Sequence, residues 1–205
     1  MKYFAALSLV ILCTSCASTQ PSPWQEIPLP SKQFVVKGFS LVLPNETGWW
    51  VNTRLGPDRL SLVKSNHASD PYENYSIQAW VLNVRAFKSN GEFLQAVKEG
   101  MPMNKEPRYK ILKHDINPHE KNGEHCALAQ VVAEDHGKIP NFGFGTHRKP
   151  GYMILEGIEL TCRHPRNNSV AINMFFSLTY YPGERDSSLT ERAMKVVDNV
   201  TFADL

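Results

Sequence analysis

Short runs in which apolar residues recur at every second position constrain the fold of this chain more than any other feature. Phe39, Leu41 and Leu43 have this spacing before Pro44, which is typical of a strand with one buried face. The run at residues 75–87 has apolar residues at both odd and even positions, as expected of a central strand that is buried on both sides. These runs, separated by turn residues, predict a β-sheet.

Four further strand-like runs follow in the second half of the chain, at residues 109–116, 125–134, 152–163 and 169–181. Asn122-Gly123 separates the first two and favours the positive φ angles of a tight hairpin turn. Residues 165–168 form a second turn sequence. Because short turns join consecutive runs, we expect the sheet to be antiparallel.

Two helices are predicted from capping signatures. Ser89 lies three residues before Glu92, and Ser188 lies three residues before Glu191, a spacing that lets each side chain satisfy a free amide at a helix start. Apolar residues at helical spacing follow both signatures. The sequence therefore predicts an α+β domain in which helices flank an antiparallel sheet.

Length and charge suggest one domain without affinity for nucleic acid. The chain has 205 residues, enough for one good core, and we assign the domain to residues 33–205. It carries 22 Lys and Arg against 20 Asp and Glu, with no basic cluster that would neutralise a run of phosphates. We therefore expect no nucleic-acid partner.

The N-terminus has the organisation of an export signal, which we place at residues 1–15. Lys2 is followed by an apolar run at residues 3–13, which is shorter than the ~20 residues that a membrane-spanning helix needs. The segment Cys13-Thr14-Ser15-Cys16 resembles the lipobox of bacterial lipoproteins. That resemblance implies cleavage before Cys16, which becomes an acylated, palmitate-bearing first residue. The alternative is an ordinary secretory signal in which Cys16 is incidental.

A tether is expected to join the anchor to the domain. Residues 16–32 contain four prolines, which favour extended chain and lack amide donors. Acyl chains on Cys16 would make the membrane a partner. By the same resemblance, Ala17 lacks the Asp associated with inner-membrane retention. The expected location is the bacterial cell envelope, on the outer membrane facing the periplasm in a Gram-negative cell.

The remaining two cysteines, Cys126 and Cys162, are predicted to form a disulfide bond. Outside the cytoplasm a pair of thiols is expected to be oxidised. The midpoint between them is Phe144, so a hairpin centred there would place the two cysteines on opposite strands. The competing interpretation makes Cys126 a catalytic thiol beside His125, but adjacent strand residues point to opposite faces.

Several histidines lie among carboxylates in the predicted turns. His114, His119, His125 and His136 are near Asp and Glu residues that could join them in a zinc or copper site, but their spacing matches no structural zinc pattern. We expect solvated turn residues, with no metal, no cofactor and no catalytic residues. Metal carriage remains an alternative.

The segment at residues 136–150 is the first candidate for an interaction site. Phe142 and Phe144 are spaced by glycines and followed by His147 and Arg148, so the aromatic rings could insert into a partner and the basic groups could meet anions. The alternative is that both rings fold onto the core. A set of other aromatic residues would either line a ligand pocket or, as we expect, pack in the core: Trp49, Trp50, Trp80, Tyr180 and Tyr181.

Three segments stand out together: EGIELTC at residues 156–162, FSLTYYPG at residues 176–183, and residues 39–44 followed by Trp49. In these segments, in its last third and at its opening, the sequence resembles PsbP-like domains. The resemblance implies an α/β/α sandwich and a binding or assembly role without catalysis. We therefore expect an envelope lipoprotein that binds a protein, lipid or wall partner. The alternative is a periplasmic hydrolase of envelope material with its base among His125, His136 and His164.

Overall fold

The computed structural model describes residues 22–66, 70–100, 106–137 and 151–205. Within these ranges the chain forms strands and helices in the following order: β1 (Trp24–Glu26), β2 (Gln33–Val36), β3 (Phe39–Val42), β4 (Trp49–Asn52), β5 (Arg59–Asn66), β6 (Asp70–Asn83), α1 (Asn90–Gly100), β7 (Tyr109–Lys121), β8 (Glu124–Asp135), β9 (Met153–His164), β10 (Asn167–Tyr180), α2 (Leu189–Asp198) and β11 (Thr201–Phe202).

Eight of the strands form one antiparallel sheet. Their order is β1-β4-β5-β6-β10-β9-β8-β7, so the long strands β6, β9 and β10 are central and β7 is one edge. A second, three-stranded sheet has the order β11-β3-β2. Asn122 and Gly123 join β7 to β8 with φ angles of 52° and 79°, as the predicted tight turn requires.

The two faces of the large sheet have different coverings. The first face carries Leu62, Ile77 and Met174 and belongs to one buried cluster with residues of the small sheet and of α2, such as Phe39 and Val196. The second face contacts α1: Arg163 of β9 hydrogen-bonds Asn90 at the start of that helix. Because β-strand side chains alternate, Arg163 and its neighbour Cys162 point to opposite faces.

The predicted antiparallel sheet and two helices are present, but helices cover the sheet less completely than predicted. The chain is dominated by antiparallel sheet, and the two predicted helices are present. However, the first face is covered by the small sheet as well as by α2, so helices alone do not flank the large sheet. The strand at residues 39–42 was anticipated from its period-two pattern, but its partners β2 and β11 were not.

The tether expected at residues 16–32 is corrected at its C-terminal end. Trp24–Glu26 forms the edge strand β1, which pairs with β4, and Ile27 is buried in the core cluster. The described part of the domain therefore begins about ten residues earlier than the boundary predicted at residue 33.

The two predicted helix starts are correct, but only one has the predicted capping contact. At α1 the Ser89 hydroxyl accepts a hydrogen bond from the Glu92 backbone amide at 3.2 Å. At α2 the Ser188 hydroxyl caps no amide and instead accepts a hydrogen bond from Arg192 Nε at 2.9 Å. The Asp186 carboxylate accepts a hydrogen bond from the Ser188 backbone amide at 2.7 Å.

Candidate functional site

The second face of the large sheet changes from apolar to polar between its edge and its centre. Ile116, Ala129 and Val131 on β7 and β8 form a small apolar cluster. Towards the centre, β9 presents Glu159 and Thr161, and Asn173 of β10 lies opposite Thr161 in the strand register. We call Glu159, Thr161 and Asn173 the polar cluster. The register brings them together although up to 14 residues separate them in sequence.

Asn173 organises this cluster. Its side-chain amide donates hydrogen bonds to a carboxylate oxygen of Glu159 and, at 2.8 Å, to the hydroxyl of Thr161. The residue is only 4% exposed, and its buried Oδ1 atom has no hydrogen-bond partner among the described residues. A buried acceptor left unpaired costs about 1–3 kcal/mol.

The carboxyl of Glu159 is held in an environment that favours its neutral form. Burial raises the pKa of Glu159 above its ordinary value, and the hydrogen bond from Asn173 only partly opposes that effect. Among the described residues no Lys or Arg forms an ion pair with Glu159. The carboxyl therefore keeps its proton to higher pH than a surface glutamate does.

Arg163 lies on the same face, two positions along β9 from Thr161. Its Nη2 donates to the side-chain oxygen of Asn90 at 2.8 Å, and its guanidinium lies 5.7 Å from the ring centre of Phe93 in α1. The Nε atom is buried and has no hydrogen-bond partner in the described part of the chain. Helix α1 thus holds the guanidinium in place but leaves one donor unmet.

A groove of about 240 Å³ lies between α1 and the β7–β8 hairpin. Phe93 and Leu94 form its helical wall, and Pro118, Glu120 and His125 are among the residues that line the hairpin side. Residues of the predicted histidine-rich turn line this groove, and Asn90 on its helical side accepts a hydrogen bond from Arg163.

The aromatic residues singled out in the sequence are divided between the two faces. Trp49, Tyr180 and Tyr181 are buried, in agreement with core packing. Trp50 and Trp80 are half-buried on the second face, and Trp80 lies next to Asn173 in the strand register. Core packing was thus the wrong expectation for these two tryptophans.

The three histidines considered as catalytic bases occupy separate places. Both ring nitrogens of the buried His164 are hydrogen-bonded, to the carbonyl of Ala203 and the amide of Arg166. The side chains of His125 and His136 are 45% and 48% exposed, and each faces a carboxylate. His125 Nδ1 is 3.9 Å from Glu120, and His136 Nε2 is 2.9 Å from Glu134.

The histidine-rich turns do not converge in the described part of the chain. His114 lies beside Asp115 in a cavity below the C-terminal part of α1, while His119 and His125 line the groove at the hairpin end. Within the described ranges, no three His, Cys, Asp or Glu side chains lie close enough together to hold a metal ion.

Cys126 and Cys162 form a disulfide bond. They are direct register partners on β8 and β9, with a Cα–Cα distance of 4.1 Å and an S–S distance of 2.09 Å. The cross-strand pairing predicted from the sequence is therefore present, and Cys126 is not a free thiol. Other sites predicted from the sequence lie outside the described residues: Cys16, Phe142, Phe144, His147 and Arg148.

Sequence reasoning missed the polar cluster and Arg163. A signal existed, because Glu159, Thr161 and Arg163 alternate with apolar residues along one strand and so mark a polar face. The partner Asn173 was not recognisable, since only the strand register places it opposite Thr161.

Comparisons with known proteins identify a fold similarity alone. No protein-family model matches the chain, and no curated protein matches it. The structure is similar to the solution structure of cyanobacterial PsbP (CyanoP) from Synechocystis sp. PCC 6803, with a TM-score of 0.44 and 12% sequence identity. The match covers 93% of this chain and 99% of that one. Across the described ranges, no helix is both long and apolar enough to span a bilayer.

Proposed function

We propose that this chain is a lipoprotein of the bacterial cell envelope, anchored through acylated Cys16, whose PsbP-like domain binds an envelope partner without catalysis. The disulfide between Cys126 and Cys162 is the observation that carries the proposal, since such bonds persist in oxidising compartments and are rare in the cytosol. The lipobox-like segment ending at Cys16 supports export and attachment to the membrane.

The geometry of the second face supports a binding role. Two buried polar atoms there, Asn173 Oδ1 and Arg163 Nε, have no hydrogen-bond partner within the described ranges, and half-buried Trp80 is the register partner of Asn173. Binding sites typically combine apolar or aromatic walls with a few placed polar groups. The partner class is an envelope protein or the wall, and the expected location is the periplasmic side of the outer membrane.

The hydrolase alternative gains no support from a specific contact. Cys126 is bonded to Cys162, and His164 uses both ring nitrogens in hydrogen bonds within the fold. His125 and His136 each face a carboxylate, and among the described residues no serine, threonine or thiol forms a hydrogen bond with either ring.

The anchor is tested by metabolic labelling with radioactive palmitate followed by membrane fractionation. The wild-type chain should be labelled and sediment with membranes, and Cys16→Ala should lose both properties. Cys13→Ala is the matched control: it changes a cysteine three residues away but leaves the acylated position intact, so labelling should persist. Equal labelling of wild type and Cys16→Ala would refute the anchor.

A further inference from the structure

The polypeptide enters the described domain at one end of the large sheet. Trp24, the first residue of β1, pairs with Asn52, the last residue of β4. The carbonyl of Pro23 accepts hydrogen bonds from the backbone amide of Thr53 at 2.8 Å and from the Thr53 hydroxyl at 3.1 Å. The loop at residues 53–58, which joins β4 to β5, therefore lies directly beside the point where the chain enters.

Exposed basic residues and one exposed leucine surround this point. The backbone amide of Lys37, in the β2–β3 turn, donates to the carbonyl of Pro57 at 2.9 Å, which ties that turn to the loop. Lys37, Arg54 and Arg59 are all exposed, and Leu55, between the two arginines in sequence, is 37% exposed. We call these four residues the entry surface: Lys37, Arg54, Leu55 and Arg59.

Cations outnumber carboxylates around the entry surface. Asp58, the acidic residue of the loop, is half-buried. Asp204, whose backbone carbonyl meets the β2–β3 turn, is taken up by an ion pair with Arg166. Within the described ranges, no carboxylate forms an ion pair with Lys37 or Arg59. The entry surface therefore offers positive charge to an anionic partner.

The length of chain between Cys16 and the entry surface limits how far this surface can lie from a membrane. Six peptide links join Cys16 to Ser22, the first described residue, and they span at most about 22 Å even when fully extended. By contrast, β6 pairs with Arg59 through Trp80 and continues to Asp70, roughly 34 Å further along the sheet. Acyl chains on Cys16 would therefore hold the entry surface, rather than the opposite end of the sheet, close to the bilayer.

A phospholipid surface matches the chemistry of the entry surface. Anionic headgroups attract Lys and Arg side chains, with a contribution of about 1 kcal/mol for each cation near the surface. Screening limits this attraction to roughly 8 Å at physiological salt, so it acts only on cations that are held close to the bilayer. The side chain of Leu55 can add apolar contact at the boundary between headgroups and acyl chains.

We propose that the entry surface docks on the anionic phospholipid headgroups of the membrane that holds the acylated Cys16. This proposal rests on the proposed anchor and adds an orientation to it. The domain stands with the loop at residues 53–58 against the bilayer, and the opposite end of the large sheet points away from the membrane, where a partner can reach it.

The reactivity of Lys37 towards a water-soluble acetylating reagent tests the proposal. The acylated mature protein is reconstituted in vesicles of phosphatidylcholine alone or of phosphatidylcholine with phosphatidylglycerol, and acetylation is followed by peptide mass spectrometry. In the anionic vesicles Lys37 should react at least about fivefold more slowly, the equivalent of the ~1 kcal/mol expected of one docked cation. High salt should remove the difference, because it screens the headgroup charge.

Arg59→Glu and Lys98→Glu form a matched pair of variants. Both replace an exposed cation by a carboxylate, but Lys98 lines a cavity with His114 of β7, which lies five strands from β5, or roughly 24 Å. Arg59→Glu should bring the reactivity of Lys37 in anionic vesicles to within about twofold of that in neutral vesicles, whereas Lys98→Glu should leave Lys37 protected. In the wild-type protein, Lys98 itself should react equally in both kinds of vesicle.

Equal reactivity of Lys37 in the two kinds of vesicle, or protection that Arg59→Glu leaves unchanged, overturns the proposal. Protection in both lipid mixtures that high salt does not remove also overturns it, since the contact would then not be with anionic headgroups. Cys16 labelling is scored separately. A labelled protein with an unprotected Lys37 keeps the anchor and loses the docking surface. A protein without label that sediments with anionic vesicles, and loses this property in Arg59→Glu, keeps the docking surface and loses the anchor.

Discussion

Removal of the disulfide should cost the domain a large part of its stability. The 36-residue separation between Cys126 and Cys162 sets the size of the loop that the bond closes in the unfolded chain. In the chain-entropy model a loop of that size lowers the entropy of the denatured state by about 13 cal/mol/K, which stabilises the fold by ~4 kcal/mol at 25 °C. A typical domain has a total of only about 5–15 kcal/mol.

Urea denaturation of the Cys126→Ala/Cys162→Ala double variant measures this effect. With an m value of about 2 kcal/mol/M, the expected loss moves the midpoint down by roughly 2 M. Wild type treated with dithiothreitol should shift to a similar midpoint, and the double variant should not respond to the reductant. A loss below about 1 kcal/mol would refute the loop-entropy reasoning, because it would mean that the β8–β9 pairing persists in the denatured chain.

Three further predictions use the same denaturation assay. Arg185→Met should destabilise the fold by about 2–3 kcal/mol, because it leaves the buried carboxylate of Glu156 without its cation. Arg185 donates two hydrogen bonds to Glu156 and so lowers the pKa of the Glu156 carboxyl; unchanged stability at pH 7 would contradict this role. Gly157→Ala should cost about 1–3 kcal/mol, since a Cβ there would overlap the Phe175 ring and lie 2.9 Å from a backbone oxygen; a stable variant would contradict that packing. In wild type the free energy of unfolding should fall as pH rises through the raised pKa of Glu159, because folding then opposes its ionisation. Glu159→Gln should lack this component, and identical pH profiles would contradict the burial effect.

Local sequence patterns predicted the long strands, the two helices and the disulfide, because each of these depends on residues that are close in sequence or related by a single hairpin. The strand-like runs predicted at residues 152–163 and 169–181 match β9 and β10 to within two residues at all four ends. The cysteine pair could be placed because a hairpin relates two positions by their midpoint, and Cys126 and Cys162 are indeed register partners.

Other features depend on tertiary partners. The proline-rich stretch around Trp24 was interpreted as tether, but extended chain is also what an edge strand requires, and β1 pairs with β4 at the edge of the sheet. Ser188 had the spacing of a cap, yet Arg192 and Asp186 redirect its hydrogen bonds. Likewise, only the strand register brings Asn173 beside Thr161.

The state of the N-terminus tests the central claim most directly. Intact-mass and peptide mass spectrometry of the protein purified from membranes should show a chain that begins at Cys16 and carries the added mass of acyl groups on that residue. A chain that retains residues 1–15, or a mature chain with an unmodified Cys16, would contradict the account of a lipid-anchored envelope protein.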